Sequence, residues 1–192
     1  MSRTTLLLAA LLSCAAMPAF AANAHYTIDP NHTYPSFEAD HMGISVWRGK
    51  LDRSSGGVDL DTAAGTGRVD VSMDLSSIDF GLPTLNDWAK SGKFFDVAQH
   101  PTATYAGTLE GFANGAPTQV VGTLTLNGVS RPLTLHIDQF KCIAHPIFKR
   151  ELCGADASGT FDRSQFGLSA GKDYGFSMDV ALRIQVEALK DA

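Results

Sequence analysis

Strict alternation of apolar and polar residues is the feature that most constrains this 192-residue chain. The alternation is faultless over residues 68–75 and runs for eleven residues from Phe176 to Val186. Similar segments lie at residues 37–46, 102–109, 120–126, 133–140 and 157–161. Because successive side chains of a strand point to opposite faces of a sheet, each segment predicts a strand with one face buried and one in water.

The residues between these segments favour antiparallel neighbours. Asn127-Gly128 separates two of the segments and is a strong short-range signal for a β-hairpin. Other glycine-containing breaks are predicted at residues 54–57, 64–67, 114–115 and 171–172.

One stretch departs from the strand pattern and predicts a short helix over residues 83–92. It begins with Pro83, spaces Leu85, Trp88 and Ala89 at helical intervals, and ends with Gly92. About eight strands, one short helix and no alternation of strands with helices predict an all-β fold, either a closed antiparallel barrel or a sandwich. We favour the barrel because it leaves no exposed sheet edge, and eight strands leave room for one slim ligand.

The amino end predicts a secretory signal peptide at residues 1–21, followed by a single domain at 22–192. A basic start, an apolar core from Leu6 to Ala16 and a small-residue cleavage motif follow in the expected order. Cleavage is expected after Ala21 or Ala24, and the apolar core is too short for a membrane-spanning helix. A buried amino-terminal helix and a lipoprotein acylated at Cys14 are the alternatives. The signal peptide predicts a protein that acts outside the cytoplasm.

Removal of residues 1–21 leaves two cysteines, Cys142 and Cys153, in a charged loop that contains proline. In an oxidising compartment a pair at this spacing predicts a structural disulfide. A metal-binding pair and a redox couple are the alternatives, although zinc sites and redox motifs use tighter cysteine spacings.

Composition excludes some classes of partner. The chain has 15 Lys and Arg against 20 Asp and Glu, a net charge of −5, and no basic block. This balance predicts no electrostatic binding to nucleic acid or to anionic membranes, and an apolar content of 44% argues against disorder.

Catalytic motifs are weak. Residues 167–171 match the G-x-S-x-G pattern around Ser169, but no histidine follows it and the next segment is a strand. The six histidines show no metal-binding spacing, so we expect no metal site. An enzyme, either a hydrolase acting through Ser169 or one using a histidine cluster, stays open as an alternative function.

Several segments, taken in order, resemble the YceI-like lipid- or polyisoprenoid-binding proteins of bacteria. The first spans residues 26–33 and continues to Phe37 and residues 41–43. The others lie at residues 94–101, 122–133 and 163–167, so the resemblance covers nearly all of the mature chain.

The resemblance implies a lipocalin-like extended barrel that carries a long amphiphilic lipid in its lumen, with no enzymatic activity and no cofactor. The lipid would be a polyisoprenoid or a ubiquinone-like polyprenyl quinone or its precursor. The resemblance also implies a periplasmic location and, for some members, a homodimer. A membrane respiratory partner is a further expectation. The alternating pattern alone favours a solid core, and a structural or stress-related interaction protein of that kind is the other alternative.

We expect the lumen to be lined mainly by aromatic residues, with the helix as its lid. The predicted lining residues are Phe37, His41, Met42, Trp88, Phe94, Phe95 and Phe166. His32, His41 and Arg163 are the candidates for polar contacts to a lipid headgroup, and for Arg163 a structural role is at least as well supported.

Overall fold

The computed structural model describes residues 23–192, so the predicted signal peptide and Cys14 lie outside the described residues. Residues 23–192 form one α-helix, α1 (Pro83–Lys90), and short 3₁₀ helices at Leu75–Ser77, Arg163–Phe166 and Lys172–Tyr174. The same residues form eleven strands: β1 (Ala24–Ile28), β2 (Ser36–His41), β3 (Ser45–Leu51), β4 (Ser54–Asp61), β5 (Thr66–Asp74), β6 (Ile78–Asp79), β7 (Thr102–Glu110), β8 (Gln119–Leu126), β9 (Val129–Ala144), β10 (Glu151–Asp162) and β11 (Asp179–Lys190). None of the helices in this range is long and apolar enough to span a membrane.

Eight of the strands close into an antiparallel ring. Their order is β1, β4, β5, β7, β8, β9, β10, β11, and pairing of Tyr26 on β1 with Lys190 on β11 completes the circle. The alternation seen in the sequence is the cause, since each strand turns its apolar residues towards the inside of the ring. The predicted all-β antiparallel barrel of about eight strands with one short helix is confirmed.

The last strand, β11, has two partners along one edge. Its carboxyl end, Ala188–Lys190, pairs with β1, whereas Val180–Arg183 pair with β2. β2 then pairs with β3, and β3 pairs with β6, which continues the chain from β5. These three strands therefore extend the wall of the barrel at the end that β1 does not reach.

The prediction of one strand over residues 37–46 is wrong, because a tight turn divides it into β2 and β3. Met42 and Gly43 adopt left-handed backbone conformations, with φ of 59° and 71°. The Gly43 N–H donates a hydrogen bond of 3.0 Å to the Asp40 carboxylate. This local bond reverses the chain just after Asp40 and His41, two consecutive polar residues that interrupt the alternation.

The break predicted at residues 54–57 is also wrong, since these residues form the first half of β4. Gly56 pairs with Val71 on β5 and has a φ of 140°. A Cβ atom at Gly56 would overlap the carbonyl oxygen of Asp70. Glycine is required here by the close approach of two strands and not by a turn.

Cys142 on β9 and Cys153 on β10 form the predicted disulfide. The two residues lie directly opposite each other, and their Cα atoms are 4.0 Å apart. The bridge ties together the hairpin that β9 and β10 form at the end of the barrel where β11 finishes.

Candidate functional site

The interior of the barrel holds a cavity of about 280 Å³. It extends from Pro117 and Cys153, near the β9–β10 hairpin, to Trp47 and Phe176 near the β2–β3 turn. The interior is therefore not filled by side chains, in contrast to the solid core that the alternating pattern alone favours.

The cavity lining is almost wholly apolar, because inward strand positions are occupied by aliphatic residues. The aliphatic lining from the barrel strands includes Val58, Leu60, Val69, Val71, Met73, Leu109, Leu124, Leu133, Leu135, Ile137, Leu182, Ile184 and Val186. Such a surface loses few hydrogen bonds to water when an apolar ligand covers it, and it offers few hydrogen bonds to a polar ligand.

Four of the predicted lining residues lie on the cavity wall, and three of them form an aromatic cluster. Phe37, Trp88, Phe94 and Phe95 all border the cavity. The rings of Trp88 and Phe94 are stacked with centroids 5.0 Å apart, and Phe95 meets Phe94 edge to face at 4.7 Å. Trp88 lies on α1, so this helix covers one side of the cavity.

A polar anchor holds α1 against the barrel. The side-chain oxygen of Asn86 accepts a hydrogen bond of 2.8 Å from the Phe80 N–H. The Asn86 amide donates to the Asp79 carboxylate at 2.9 Å and lowers the pKa of that carboxyl. The position of Trp88 over the cavity is thus fixed by a hydrogen-bonded contact between α1 and β6.

The other predicted lining residues do not border the cavity. Met42 is 48% exposed, because the left-handed turn between β2 and β3 directs it outwards. The ring of His41 stacks on Trp47 at 4.3 Å and meets the edge of Phe176 at 4.8 Å, so it backs two lining residues instead. Phe166 is fully buried against Phe161.

His32, predicted as a polar contact for a headgroup, also lies away from the cavity. Its Nδ1 atom is 2.8 Å from the Asp29 carboxylate and 3.9 Å from that of Glu187, on the outer surface. The hydrogen bond with Asp29 raises the pKa of His32.

Arg163 borders the cavity as a buried cation, 7% exposed. Its guanidinium donates hydrogen bonds to the carbonyl oxygens of Leu168 at 2.6 Å, Ala170 at 2.8 Å and Ser177 at 3.4 Å. It also lies 5.8 Å from the centre of the Phe94 ring, and burial lowers its pKa. These bonds give Arg163 a structural role in fixing the loop before β11, and its role towards a headgroup stays a prediction.

Tyr105 is a polar lining residue that is absent from the sequence-based prediction. Its hydroxyl lies 3.1 Å from the carbonyl oxygen of Val120 and 3.0 Å from that of Leu133, so one proton is shared between two acceptors. Burial raises the pKa of Tyr105 to about 12. The alternating pattern of residues 102–109 places Tyr105 on the inward face of its strand, and this was the signal in the sequence that indicates a lining residue.

Support for the catalytic alternatives is lacking among residues 23–192. In this range no hydrogen bond joins Ser169 to a histidine. Among the described residues, the side chains of Cys142, Glu151 and Cys153 lie close enough together to be considered as metal ligands. The two sulfur atoms of this group are bonded to each other in the disulfide.

Comparison with known families connects this geometry to other proteins. The family model described as "YceI-like domain" matches residues 26–188, which is most of the chain. This protein belongs to the YceI-like family. The resemblance found in the sequence segments is thereby confirmed.

Relatives and solved structures agree with this assignment. A UPF0312 protein of Pseudomonas aeruginosa is 30% identical over 171 residues, covering 87% of each chain. A UPF0312 protein of Shewanella sp. (strain MR-4) is 31% identical over 181 residues, covering 91% of this chain and 88% of the relative. BcnA of Burkholderia cenocepacia has a TM-score of 0.67 at 21% identity, covering 84% of this chain and 99% of that one. A polyisoprenoid-binding domain from Saccharophagus degradans has a TM-score of 0.65 at 18% identity, covering 88% and 99%. At these identities the structural likenesses establish the fold.

Three of the YceI-like segments meet at one end of the barrel. Asn127, in the β8–β9 turn, donates a hydrogen bond of 3.0 Å to the carbonyl oxygen of Phe166. Gly128 lies against the ring of His100, and Arg163 lies over Phe94. The segments that mark the family therefore build the end of the cavity that carries its aromatic residues.

Proposed function

We propose that this protein is a non-enzymatic carrier that holds the apolar tail of a long amphiphilic lipid, a polyisoprenoid or a polyprenyl quinone, inside its barrel. The observation that supports the proposal is the almost wholly apolar cavity in a closed barrel. The ligand class is supported by a polyisoprenoid-binding domain from Saccharophagus degradans that has the same fold.

The energetics favour a chain-like ligand. Each buried CH₂ group contributes about 0.8 kcal/mol, whereas association costs on the order of 4 to 15 kcal/mol. A few isoprene units are therefore enough to give net binding. Buried ligand pockets range from roughly 300 to 1,000 Å³. A cavity of about 280 Å³ lies just below that range, where a slim tail fits and a bulky ring system does not.

We infer that the carrier works in the periplasm after removal of residues 1–21. The disulfide between Cys142 and Cys153 supports export, because such bridges persist in oxidising compartments. A homodimer and a membrane respiratory partner stay predictions.

The test is to look for bound lipid and then to fill the cavity. Native mass spectrometry of gently purified protein is expected to show a co-purified lipid, and titration with a polyprenyl quinone is expected to saturate one site. Ala103 borders the cavity on β7, and Ala103→Phe should reduce quinone affinity at least about tenfold by occupying its space.

The matched control lies on the same strand. Ala106 is exposed on the outer face of β7, so Ala106→Phe should leave quinone affinity unchanged. Circular dichroism will verify that both variants fold. The proposal is wrong if no lipid co-purifies and no quinone binds, or if Ala103→Phe binds quinone as well as the wild type.

A further inference from the structure

The β9–β10 hairpin projects from one end of the barrel. β9 pairs with β8 only as far as His136, yet it continues to Ala144. β10 pairs with β11 as far as Leu152, opposite Leu189, which is near the end of the last strand. Residues 145–150, which connect β9 to β10, form the outer tip of this hairpin.

The hairpin tip is held in one conformation by its own bonds. The His145 N–H donates to the Arg150 carbonyl oxygen at 2.7 Å, and the Lys149 N–H donates to the His145 carbonyl oxygen at 3.0 Å. The Nδ1 atom of His145 accepts hydrogen bonds from the N–H groups of Ile147 at 3.1 Å and Phe148 at 3.2 Å. Together with the disulfide at its base, these bonds order the tip before it meets any partner.

This ordered tip presents apolar side chains to solvent. Ile147 is 76% exposed and Phe148 is 58% exposed, and Ile143 on the adjoining end of β9 is also exposed. The Phe148 ring lies 4.6 Å from the His145 ring and 5.9 Å from the Arg150 guanidinium, so it stands beside a cation without being covered.

The charge of the outer end of the hairpin, residues 141–153, is opposite to that of the rest of the chain. Residues 141–153 carry three basic residues, Lys141, Lys149 and Arg150, and one acidic residue, Glu151. The other residues of the chain carry twelve basic and nineteen acidic side chains. The carboxylate of Glu151 also lies 4.0 Å from the Lys190 ammonium, which offsets part of its negative charge. The exposed apolar tip is thus flanked by positive charge in an acidic protein.

We propose that the hairpin tip docks the protein on the surface of a bilayer that contains anionic phospholipids. Ile147 and Phe148 enter the boundary between headgroups and acyl chains, while Lys141, Lys149 and Arg150 contact lipid phosphates. A narrow apolar tip with adjacent cations matches this surface, in which apolar groups sink a few ångströms and basic groups stay with the phosphates. A protein partner would require a broader patch, of about 800 Å² on each side.

The test uses the exported form purified from cells that express the full chain, in flotation with lipid vesicles. Binding is expected to vesicles of equal parts phosphatidylcholine and phosphatidylglycerol, and it should weaken as salt is added. Ile147→Glu/Phe148→Glu should lower the partition coefficient at least about tenfold. Lys149→Gln/Arg150→Gln should reduce binding to the anionic vesicles and leave the weaker binding to pure phosphatidylcholine unchanged.

Ile44 provides the matched control, because it is 77% exposed in the turn between β2 and β3. This turn lies near the opposite end of the barrel, where Ala39 pairs with Val180. Ile44→Glu should bind vesicles as the wild type does. The cavity-filling variant Ala103→Phe should also bind vesicles normally, and this result would separate docking on a bilayer from binding of a lipid inside the barrel. Absence of vesicle binding, or an equal loss in Ile44→Glu, would overturn the proposal. It would also be overturned if the tip variant changed self-association in the ultracentrifuge while vesicle binding stayed the same.

Discussion

Arg163 is the residue where two roles suggested by the sequence can be separated by experiment. One role is a contact to a lipid headgroup and the other is structural. The guanidinium of Arg163 is buried beside the cavity, and its observed hydrogen-bond partners are carbonyl oxygens of the protein backbone. Arg163→Met keeps most of the volume but leaves those oxygens without their donor, so we expect the free energy of unfolding to fall by about 3 kcal/mol. Urea denaturation measures this loss. Unchanged stability combined with weaker lipid binding would instead assign Arg163 to the headgroup.

His32 gives the protein a pH-dependent contribution to stability. Its hydrogen bond to Asp29 raises the pKa of His32 and lowers the pKa of the Asp29 carboxyl. The histidine contribution is fully present below the unfolded pKa of about 6.5 and is lost as the pH rises through the raised folded value. The aspartate contribution is present above about pH 3.9 and is lost as the pH falls through the lowered folded value.

His32→Gln should therefore destabilise the protein at about pH 5.5 and have little effect at about pH 8. Urea denaturation at the two pH values checks this, and an NMR titration should place the pKa of His32 above its ordinary value. Asp29→Asn should bring that pKa back down. A pKa of His32 that does not respond to Asp29→Asn would contradict the prediction.

At the residue scale, the sequence predicts lining side chains best where an aromatic residue lies on a regular element or beside one. Phe37 and Trp88 border the cavity because β2 and α1 hold them in the expected orientation. Met42 does not, because the Gly43 N–H donates a hydrogen bond to the Asp40 carboxylate and turns the chain, and hydrophobic periodicity does not report such a bond. Tyr105 occupies an inward position that the pattern predicts, but the two carbonyl acceptors of its hydroxyl are set by packing between strands.

At the scale of elements, the β9–β10 hairpin is the segment whose order depends on a covalent bond. Cys142→Ser/Cys153→Ser should lower the free energy of unfolding by roughly 3 kcal/mol, since the bridge closes a short loop in the unfolded chain. Urea denaturation with and without a reductant measures the change. Reductant should lower the stability of the wild type to that of the variant and should not affect the variant itself.

The two errors in strand assignment have physical causes that lie outside the hydrophobic pattern. Glycines at 54–57 suggest a turn, but Gly56 is there because Asp70 on the neighbouring strand approaches its backbone closely. The turn at 42–44 forms because the Gly43 N–H donates a hydrogen bond to the Asp40 carboxylate. The first feature depends on a contact between strands and the second on a local side-chain hydrogen bond, and hydrophobic periodicity displays neither.

At the scale of the whole molecule, ligand binding and stability should be linked. A lipid that binds only the closed barrel stabilises it by about 2.7 kcal/mol when its free concentration is a hundred times Kd. Thermal unfolding of delipidated protein should therefore shift to higher temperature on addition of a polyprenyl quinone. The shift should be absent in Ala103→Phe and retained in Ala106→Phe. An equal shift in both variants would mean that the lipid acts outside the cavity.

The fold class could be predicted because periodicity is a global signal that is repeated in six of the eight ring strands, all but β1 and β4. The cavity could not, because the same alternation describes a barrel whose inward side chains meet and one whose inward side chains leave a gap. The difference lies in the combined volumes of side chains from all eight ring strands and from α1, which only their arrangement in space determines.

The position of β11 in the ring has a consequence for how the protein is made. This strand, Asp179–Lys190, pairs with β10, β1 and β2, and it is the last strand of the chain. Until it has been synthesised, β10 has no partner on its outer side and β1 pairs with β4 alone, so the sheet is open at two edges. The barrel therefore cannot close before residues 179–190 have been made, and a product that lacks them would be an open, aggregation-prone sheet with two unpaired edges.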